Sequence, residues 1–107
     1  MKAVWSFTLK VMLNNDRIQL IKEKLQTAFT TTYLEVTDDS HKHVGHHSAS
    51  EGGGHFVVTI VSSQFNNQPL IQRHRLVYAA VNELMNTVIH ALSIQAQTPE
   101  EFAKWNK

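Results

Sequence analysis

The spacing of apolar residues predicts an amphipathic helix in the first third of the chain. Four of them recur at intervals of three and four and therefore share one helix face: Ile18, Ile21, Leu25 and Phe29. Asn15 precedes this run as a suitable N-cap residue, and Asp16 lies in the first turn, where a negative charge is favourable. We therefore expect a helix that begins at Asn15 and packs one face against a core.

The apolar period changes from that of a helix to that of a strand after Thr32. Leu34 and Val36 alternate with polar residues, as expected for a strand that is buried on one side. The polar segment 38–54 ends in three glycines and predicts a flexible loop. The range 55–61 is then almost continuously apolar and β-branched, which is typical of a central strand.

The second half of the chain predicts a long helix and a third strand. After Pro69, five apolar residues fall on one helix face: Leu70, Val77, Ala80, Val81 and Leu84. The range 88–96 has the composition of a strand. By its period of two, one face of this strand carries His90, Leu92, Ile94 and Ala96, so His90 is expected at its start.

A capping box predicts a short helix at the C-terminal end of the chain. Thr98 and Glu101 have the spacing of this motif, and Pro99 occupies the first helical position, where proline is favoured. Phe102 and Trp105 are expected to dock this helix on the rest of the fold.

The predicted order of elements is αββααβα. A strand, helix, strand connection within one sheet is almost always right-handed, so the second and third strands are expected to be parallel. We predict a single α+β domain over residues 15–107, with a three-stranded mixed sheet and helices packed on one face. Residues 1–14 are predicted to be an N-terminal leader of uncertain structure, too short and too polar to span a membrane.

Composition narrows the candidate chemistry to nitrogen ligands. The 107 residues contain seven histidines and no cysteine, and four of the histidines lie in the predicted loop: His41, His43, His46 and His47. The chain itself therefore provides nitrogen ligands but no thiolate, and a metal site that needs sulfur must take it from a partner. The formal net charge of +1 provides no strong field for a polyanion, and no motif of an enzyme active site is present. We expect a cytoplasmic protein that is not an enzyme and does not bind membranes.

Four short motifs resemble those of the BolA family: Ser40-His41-Lys42-His43, His55-Phe56, the segment 70–78 with its central Arg73-His74-Arg75, and His90-Ala91-Leu92. The resemblance extends over residues 15–105 and implies a fold similar to the class II KH domain. It also implies a partnership with monothiol glutaredoxins, with which BolA proteins form mixed complexes that hold a [2Fe-2S] cluster for iron-sulfur trafficking or iron sensing. Bacterial members of the family are also described as transcriptional regulators.

The resemblance implies a set of cluster ligands. The glutaredoxin cysteine and a bound glutathione would provide two thiolates, and the family's invariant ligand, at the start of the last strand, corresponds to His90. The second ligand of the family lies in the loop between the first two strands. Counting forward from Ser40 selects His43, which we favour, and counting backward from His55 selects His46. The chain alone is expected to hold no stable cluster and to be a monomer or a weak homodimer.

Other interpretations of these histidines are open. The four loop histidines are either solvated polar residues or an independent site for zinc, copper or nickel, because imidazole suits all three metals. Without the resemblance, His90 would be interpreted as a histidine at the edge of a core.

The alternative function is binding to DNA as a transcriptional regulator, with Arg73, His74 and Arg75 as contacts to nucleic acid or to a protein partner. Residues two apart on a helix point in different directions, so Arg73 is expected at the core margin and Arg75 in solvent. The turn 66–69 has no glycine and therefore lacks the GxxG clamp with which KH domains hold nucleic acid.

Overall fold

The computed structural model describes residues 14–39 and 54–105. Its elements in chain order are α1 (Asn14–Ala28), β1 (Tyr33–Asp38), β2 (Gly54–Val61), α2 (Leu70–Ala80), β3 (Ile89–Gln97) and α3 (Pro99–Trp105). The predicted α+β class is confirmed. The predicted leader lies almost wholly outside the described residues, as do all four loop histidines.

Helix α1 supplies one side of the core, as its apolar spacing predicts. Ile21 and Leu25 are fully buried, and Phe29, just after the helix, packs its ring 5.3 Å from that of Phe65. The helix begins at Asn14, one residue earlier than the predicted cap at Asn15. This difference is within the usual uncertainty of a helix end.

The sheet has the order β1-β2-β3, with β1 antiparallel to β2 and β2 parallel to β3. The prediction of a mixed sheet with parallel second and third strands is therefore confirmed. Alternate residues of β2 are buried in the core against α1 and α2: Phe56, Val58 and Ile60. The other face of β2 carries His55, Val57 and Thr59, which are only half-buried. We call this second face the open face.

Helix α2 is shorter than the apolar spacing predicts. It ends at Ala80, and a 3-10 turn over Asn82–Leu84 follows, which still brings Leu84 into the core. The predicted order αββααβα has two consecutive helices between the second and third strands. The structure has one α-helix there, α2, with a 3-10 turn before it at Ser63–Phe65 and another after it at Asn82–Leu84. Leu70, which the spacing assigns to the apolar face, is 64% exposed. Leu70 is the first residue of α2, and the buried residues of this helix, Arg73 and Val77, come after it.

Helix α3 begins with the predicted capping box. The backbone N–H of Thr98 donates to the Glu101 carboxylate at 2.9 Å, and the N–H of Glu101 donates to Thr98 Oγ1 at 3.1 Å. Phe102 stacks on Tyr33 with ring centroids 4.7 Å apart, as its predicted docking requires. The same prediction is wrong for Trp105, which is 78% exposed. Trp105 is the last residue of this short helix, and Phe102 already makes the docking contact.

Candidate functional site

A β-bulge at the start of β3 turns His90 out of the core. Gly54 pairs with Ile89 and His55 pairs with Ala91, so the register shifts by one residue and His90 has no residue opposite it. Ile89 is fully buried, whereas His90 is exposed. The prediction that His90 shares a face with Leu92 is therefore wrong, because the extra residue of the bulge reverses the alternation. The prediction that His90 lies at the start of the strand is confirmed.

The bulge brings His90 beside His55. The centroids of the two imidazole rings are 5.4 Å apart, with 53° between their planes. His55 lies on the open face of β2, because its neighbour Phe56 points into the core. We call these two residues the histidine pair.

The positions of the two histidines within their strands are a signal for this pair in the sequence. His55 is the second residue of β2, His90 is the second residue of β3, and the two strands are parallel and adjacent. Residues at the same position along adjacent parallel strands are neighbours. His55 and His90 therefore come together although they are 35 positions apart in the chain. The local sequence does not mark the bulge, which decides the direction in which His90 points.

The backbone around His90 is held firmly. Asn86, at a φ of 68°, donates its N–H to the Ile89 carbonyl at 2.8 Å, and Gly54 donates to the Val88 carbonyl at 3.1 Å. Asparagine is one of the few residues that adopt such a left-handed conformation at little cost. These bonds fix the turn from which β3 starts, while the buried Ile89 side chain anchors the residue next to His90.

The two residues that flank the loop with the other candidate ligands, Asp39 and Gly54, make backbone contacts next to the histidine pair. The N–H of Asp39 donates to the carbonyl of His55 at 2.7 Å, and Gly54 pairs with Ile89. His43 and His46 lie between these two points in the chain, outside the described residues. Within residues 14–39 and 54–105, no group of three or more His, Cys, Asp or Glu side chains is arranged to hold a metal ion.

The three basic residues of α2, Arg73, His74 and Arg75, differ in burial. Arg73 is buried: its Nη1 donates to the Ala96 carbonyl at 3.0 Å and its Nε to the Gln68 carbonyl at 2.8 Å. Two further bonds, of 2.7 and 3.2 Å, reach the Glu101 carboxylate. His74 is half-buried and Arg75 is exposed. Arg73 therefore has a structural role that the sequence did not reveal, and Arg75 is accessible to a partner.

The Arg73 guanidinium also changes the acidity of its partner. Its hydrogen bond to Glu101, followed by that from the Thr98 backbone, lowers the pKa of the Glu101 carboxyl to about 2. The carboxylate is therefore charged at neutral pH and completes the capping of α3.

Side chains of α2 also donate hydrogen bonds to backbone carbonyl groups of β3. The Tyr78 hydroxyl donates to the Leu92 carbonyl at 3.2 Å, and Arg73 donates to that of Ala96. β3 ends the sheet on this side, and an uncovered edge of this kind is open to pairing with another chain. These two bonds therefore make a partner strand at this edge less favourable.

Two surface cavities in the described part of the chain lie away from the histidine pair. One, of about 560 Å³, is lined by residues that include Arg73, Thr98 and Lys104. Another, of about 400 Å³, lies on the open face between Tyr33 and Trp105. Neither includes His55 or His90 in its lining. His90 is exposed, and His55 beside it is half-buried.

Comparison with known proteins identifies the family. The family model described as BolA-like protein matches residues 25–101. The chain belongs to the BolA family. It is 38% identical over 89 residues to a Haemophilus influenzae protein described as the DNA-binding transcriptional regulator BolA, covering 83% of this chain and 84% of that protein.

Two further relatives agree with this assignment. Human BolA-like protein 1 is 41% identical over 88 residues, which cover 81% of this chain and 59% of that protein. The solved structure of BolA1 from Arabidopsis thaliana is 39% identical with a TM-score of 0.67, and the match covers 79% of this chain and 94% of that one. Among the described helices of the present chain, none has the length and apolar character needed to cross a membrane.

Proposed function

We propose that this BolA family protein is an adaptor that binds a monothiol glutaredoxin and completes a shared [2Fe-2S] cluster through histidine ligands, in iron-sulfur trafficking or iron sensing. The observation that carries the proposal is the exposed His90, which the bulge turns out of the core at the start of a fixed strand. A ligand to metal held by a second protein must project from the surface, and His90 does so.

The donor set of the chain fits such a cluster. The chain has no thiol, and two histidines in place of two thiolates on one iron form the ligand set of Rieske centres, in which the reduction potential is raised. When bound, the cluster would supply iron for transfer or an iron-dependent signal. The thiolates would come from the glutaredoxin and from glutathione.

The chain's own contribution is to hold its imidazoles in position. His90 is fixed by the buried Ile89 beside it and by the turn at Asn86. The other candidate ligand belongs to the loop: in the sequence His43 is four residues beyond Asp39, and a chain segment spans at most about 3.3–3.6 Å per residue. In the proposal His43 is the second ligand, with His46 as the alternative.

The proposal is tested by mixing the purified chain with a cluster-loaded monothiol glutaredoxin and recording visible circular dichroism. We expect the wild-type chain to change the spectrum and His90→Ala to abolish that change. Gln95→Ala is the control, because Gln95 is an exposed polar residue of the same strand, five positions beyond His90. A His90→Ala spectrum identical to that of the wild type would overturn the proposal.

A second candidate function is DNA binding, which the printed name of the Haemophilus influenzae relative favours. In this chain the candidate contacts are the exposed Arg75 and the half-buried His74. Arg73 is engaged within the fold, and Lys24 forms an ion pair with Glu83. The test is the salt dependence of binding to a promoter fragment: Arg75→Ala should reduce the slope of log K against log salt by about one. Binding that is insensitive to salt would exclude this function.

A further inference from the structure

We propose that the cavity of about 400 Å³ on the open face binds the guanidinium group of an arginine side chain that a partner polypeptide presents. We call this cavity the aromatic cavity, because Tyr33, Phe102 and Trp105 all line it. The inference goes beyond the proposed function and does not depend on it, since neither residue of the histidine pair lines the aromatic cavity.

Two neighbouring rows of paired residues contribute polar side chains to the aromatic cavity. Glu35 of β1 pairs with Thr59 of β2, and in the adjacent row Tyr33 and Gln97 both pair with Val61. Residues that pair directly in a ladder point to the same face of the sheet. Glu35, Thr59 and Gln97 therefore bring a carboxylate, a hydroxyl and an amide to one depression of the open face.

Aromatic side chains border the same cavity. Phe102 stacks on Tyr33 with ring centroids 4.7 Å apart, which places α3 beside β1. Trp105, one turn further along α3, is 78% exposed and also lines the cavity. An indole exposed to this extent adds little to the core, so its surface is open to a ligand. Cations are attracted to the faces of aromatic rings, most strongly to that of tryptophan.

The charge of the lining favours a cation. Among the described residues that line the aromatic cavity, Glu35 is the one that is charged at neutral pH, and it is exposed. The Tyr33 hydroxyl donates to Oε1 of Glu35 at 3.2 Å. This bond holds the carboxylate beside the aromatic rings and leaves Oε2 for a ligand. A cation gains from both the carboxylate and the rings, whereas an anion is repelled by Glu35.

The shape and the donors of guanidinium fit this lining better than those of an ammonium group. Guanidinium is planar, is weakly hydrated and stacks on aromatic faces, and its five N–H donors pair with carboxylates and neutral oxygens together. Glu35, Thr59 and Gln97 provide acceptors of both kinds. An ammonium group is a compact, strongly hydrated charge and gains less from flat rings.

The lining also favours an arginine within a polypeptide over free arginine. Free arginine carries an α-carboxylate, and the described lining of the aromatic cavity includes no basic residue that could pair with it. In a polypeptide this group is an amide without charge. A volume of about 400 Å³ lies near the lower end of the roughly 300–1,000 Å³ range of ligand pockets, which suits the end of one side chain.

The first test compares a cation with its neutral counterpart on the full wild-type chain. Arginine blocked at both ends, as the Nα-acetyl amide, is added while the Trp105 indole N–H and the glutamine side-chain amides are followed by NMR. Citrulline blocked in the same way has nearly the same shape but no charge. We expect the arginine derivative to shift these signals and the citrulline derivative to bind about tenfold more weakly. Equal binding of the two would overturn the inference.

Variants of the lining provide the second test. Glu35→Gln and Trp105→Ala should each weaken binding of the arginine derivative about threefold to fivefold, with the glutamine amide signals as the readout. Both residues are exposed, so the fold is expected to be retained, which far-UV circular dichroism checks. Glu100→Gln is the matched control, because Glu100 is an exposed carboxylate outside this lining. Equal weakening by Glu35→Gln and Glu100→Gln would indicate a general effect of charge and overturn the inference.

The third test separates the possible sources of the cation. Blocked lysine and free arginine are titrated under the same conditions, and both should bind more weakly than blocked arginine. Binding of blocked lysine as tight as that of blocked arginine would overturn the assignment to guanidinium. Binding of free arginine as tight as that of the blocked form would favour a free metabolite and overturn the assignment to a partner polypeptide.

Discussion

Arg73 and Glu101 form a bidentate ion pair, with nitrogen to oxygen distances of 2.7 and 3.2 Å, that joins α2 to α3. The same guanidinium bonds the Ala96 carbonyl near the end of β3. Three elements that follow one another in the chain are thus tied together by one side chain. Two parallel bonds between arginine and a carboxylate are stronger and geometrically more specific than a single contact.

We predict that Arg73→Ala lowers the free energy of unfolding by about 2–3 kcal/mol, because it leaves the carbonyls of Gln68 and Ala96 without this donor and removes the partner of Glu101. Chemical denaturation at neutral pH measures the change. Arg75→Ala is the matched control, because Arg75 is exposed on the same helix, and should change stability by less than about 0.5 kcal/mol.

Equal stability changes in the two arginine variants would contradict the structural role of Arg73. The comparison also bears on function. If Arg73→Ala weakens binding to DNA or to glutaredoxin, the stability measurement shows whether that loss reflects partial unfolding.

The lowered pKa of Glu101 predicts a pH dependence of stability. Its carboxyl has a pKa of about 2 in the folded state, against an ordinary value of 4.5. A group with a depressed folded pKa contributes stability that is fully present above about pH 4.5 and is lost as the pH falls toward 2. The stability difference between the wild type and Glu101→Gln should therefore shrink over this interval. The Glu101 side chain is 43% exposed, so solvent screening limits the difference at neutral pH to about 1 kcal/mol.

Denaturation midpoints of the two proteins at several pH values measure this effect. Glu100→Gln serves as the control, because Glu100 is its exposed neighbour in the first turn of α3. A difference that grows as the pH falls would contradict the assignment of the pKa shift to the pair with Arg73.

The bulge at the start of β3 predicts opposite results for adjacent residues. Ile89→Ala should cost about 2–5 kcal/mol of unfolding free energy, because Ile89 is fully buried. His90→Ala should cost less than about 0.5 kcal/mol, because His90 is exposed. Thermal or chemical denaturation of both variants measures the difference. If His90→Ala were the more damaging change, strict alternation from Leu92 would be correct and the bulge would be absent.

The residues that could be placed from the sequence are those whose burial follows a simple period. Ile21 and Leu25 in α1, and Val36 in β1, are buried where the helix and strand periods predict. The period of two places His90 on the wrong face, because one extra residue in a ladder reverses all alternation before it and no local signal marks that residue.

Arg73 and Arg75 of α2 show a second limit of prediction from the sequence, which concerns contacts between distant residues. Their separation on the helix indicates that only one of them faces solvent, which the burial of Arg73 and the exposure of Arg75 confirm. The sequence did not indicate that the capping glutamate of α3 would also be the partner of Arg73. A contact between residues 28 positions apart depends on how the elements pack, which the local pattern does not contain.

The aromatic residues of α3 yield the last prediction. Phe102 is half-buried and stacks on Tyr33, whereas Trp105 is largely exposed. Phe102→Ala should therefore lower the free energy of unfolding by about 2 kcal/mol, which combines lost apolar burial with the lost ring contact. Trp105→Ala should lower it by less than about 0.5 kcal/mol, although tryptophan is the larger side chain. Chemical denaturation followed by far-UV circular dichroism measures both changes without relying on tryptophan fluorescence. A larger cost for Trp105→Ala would mean that this indole packs against part of the protein in solution.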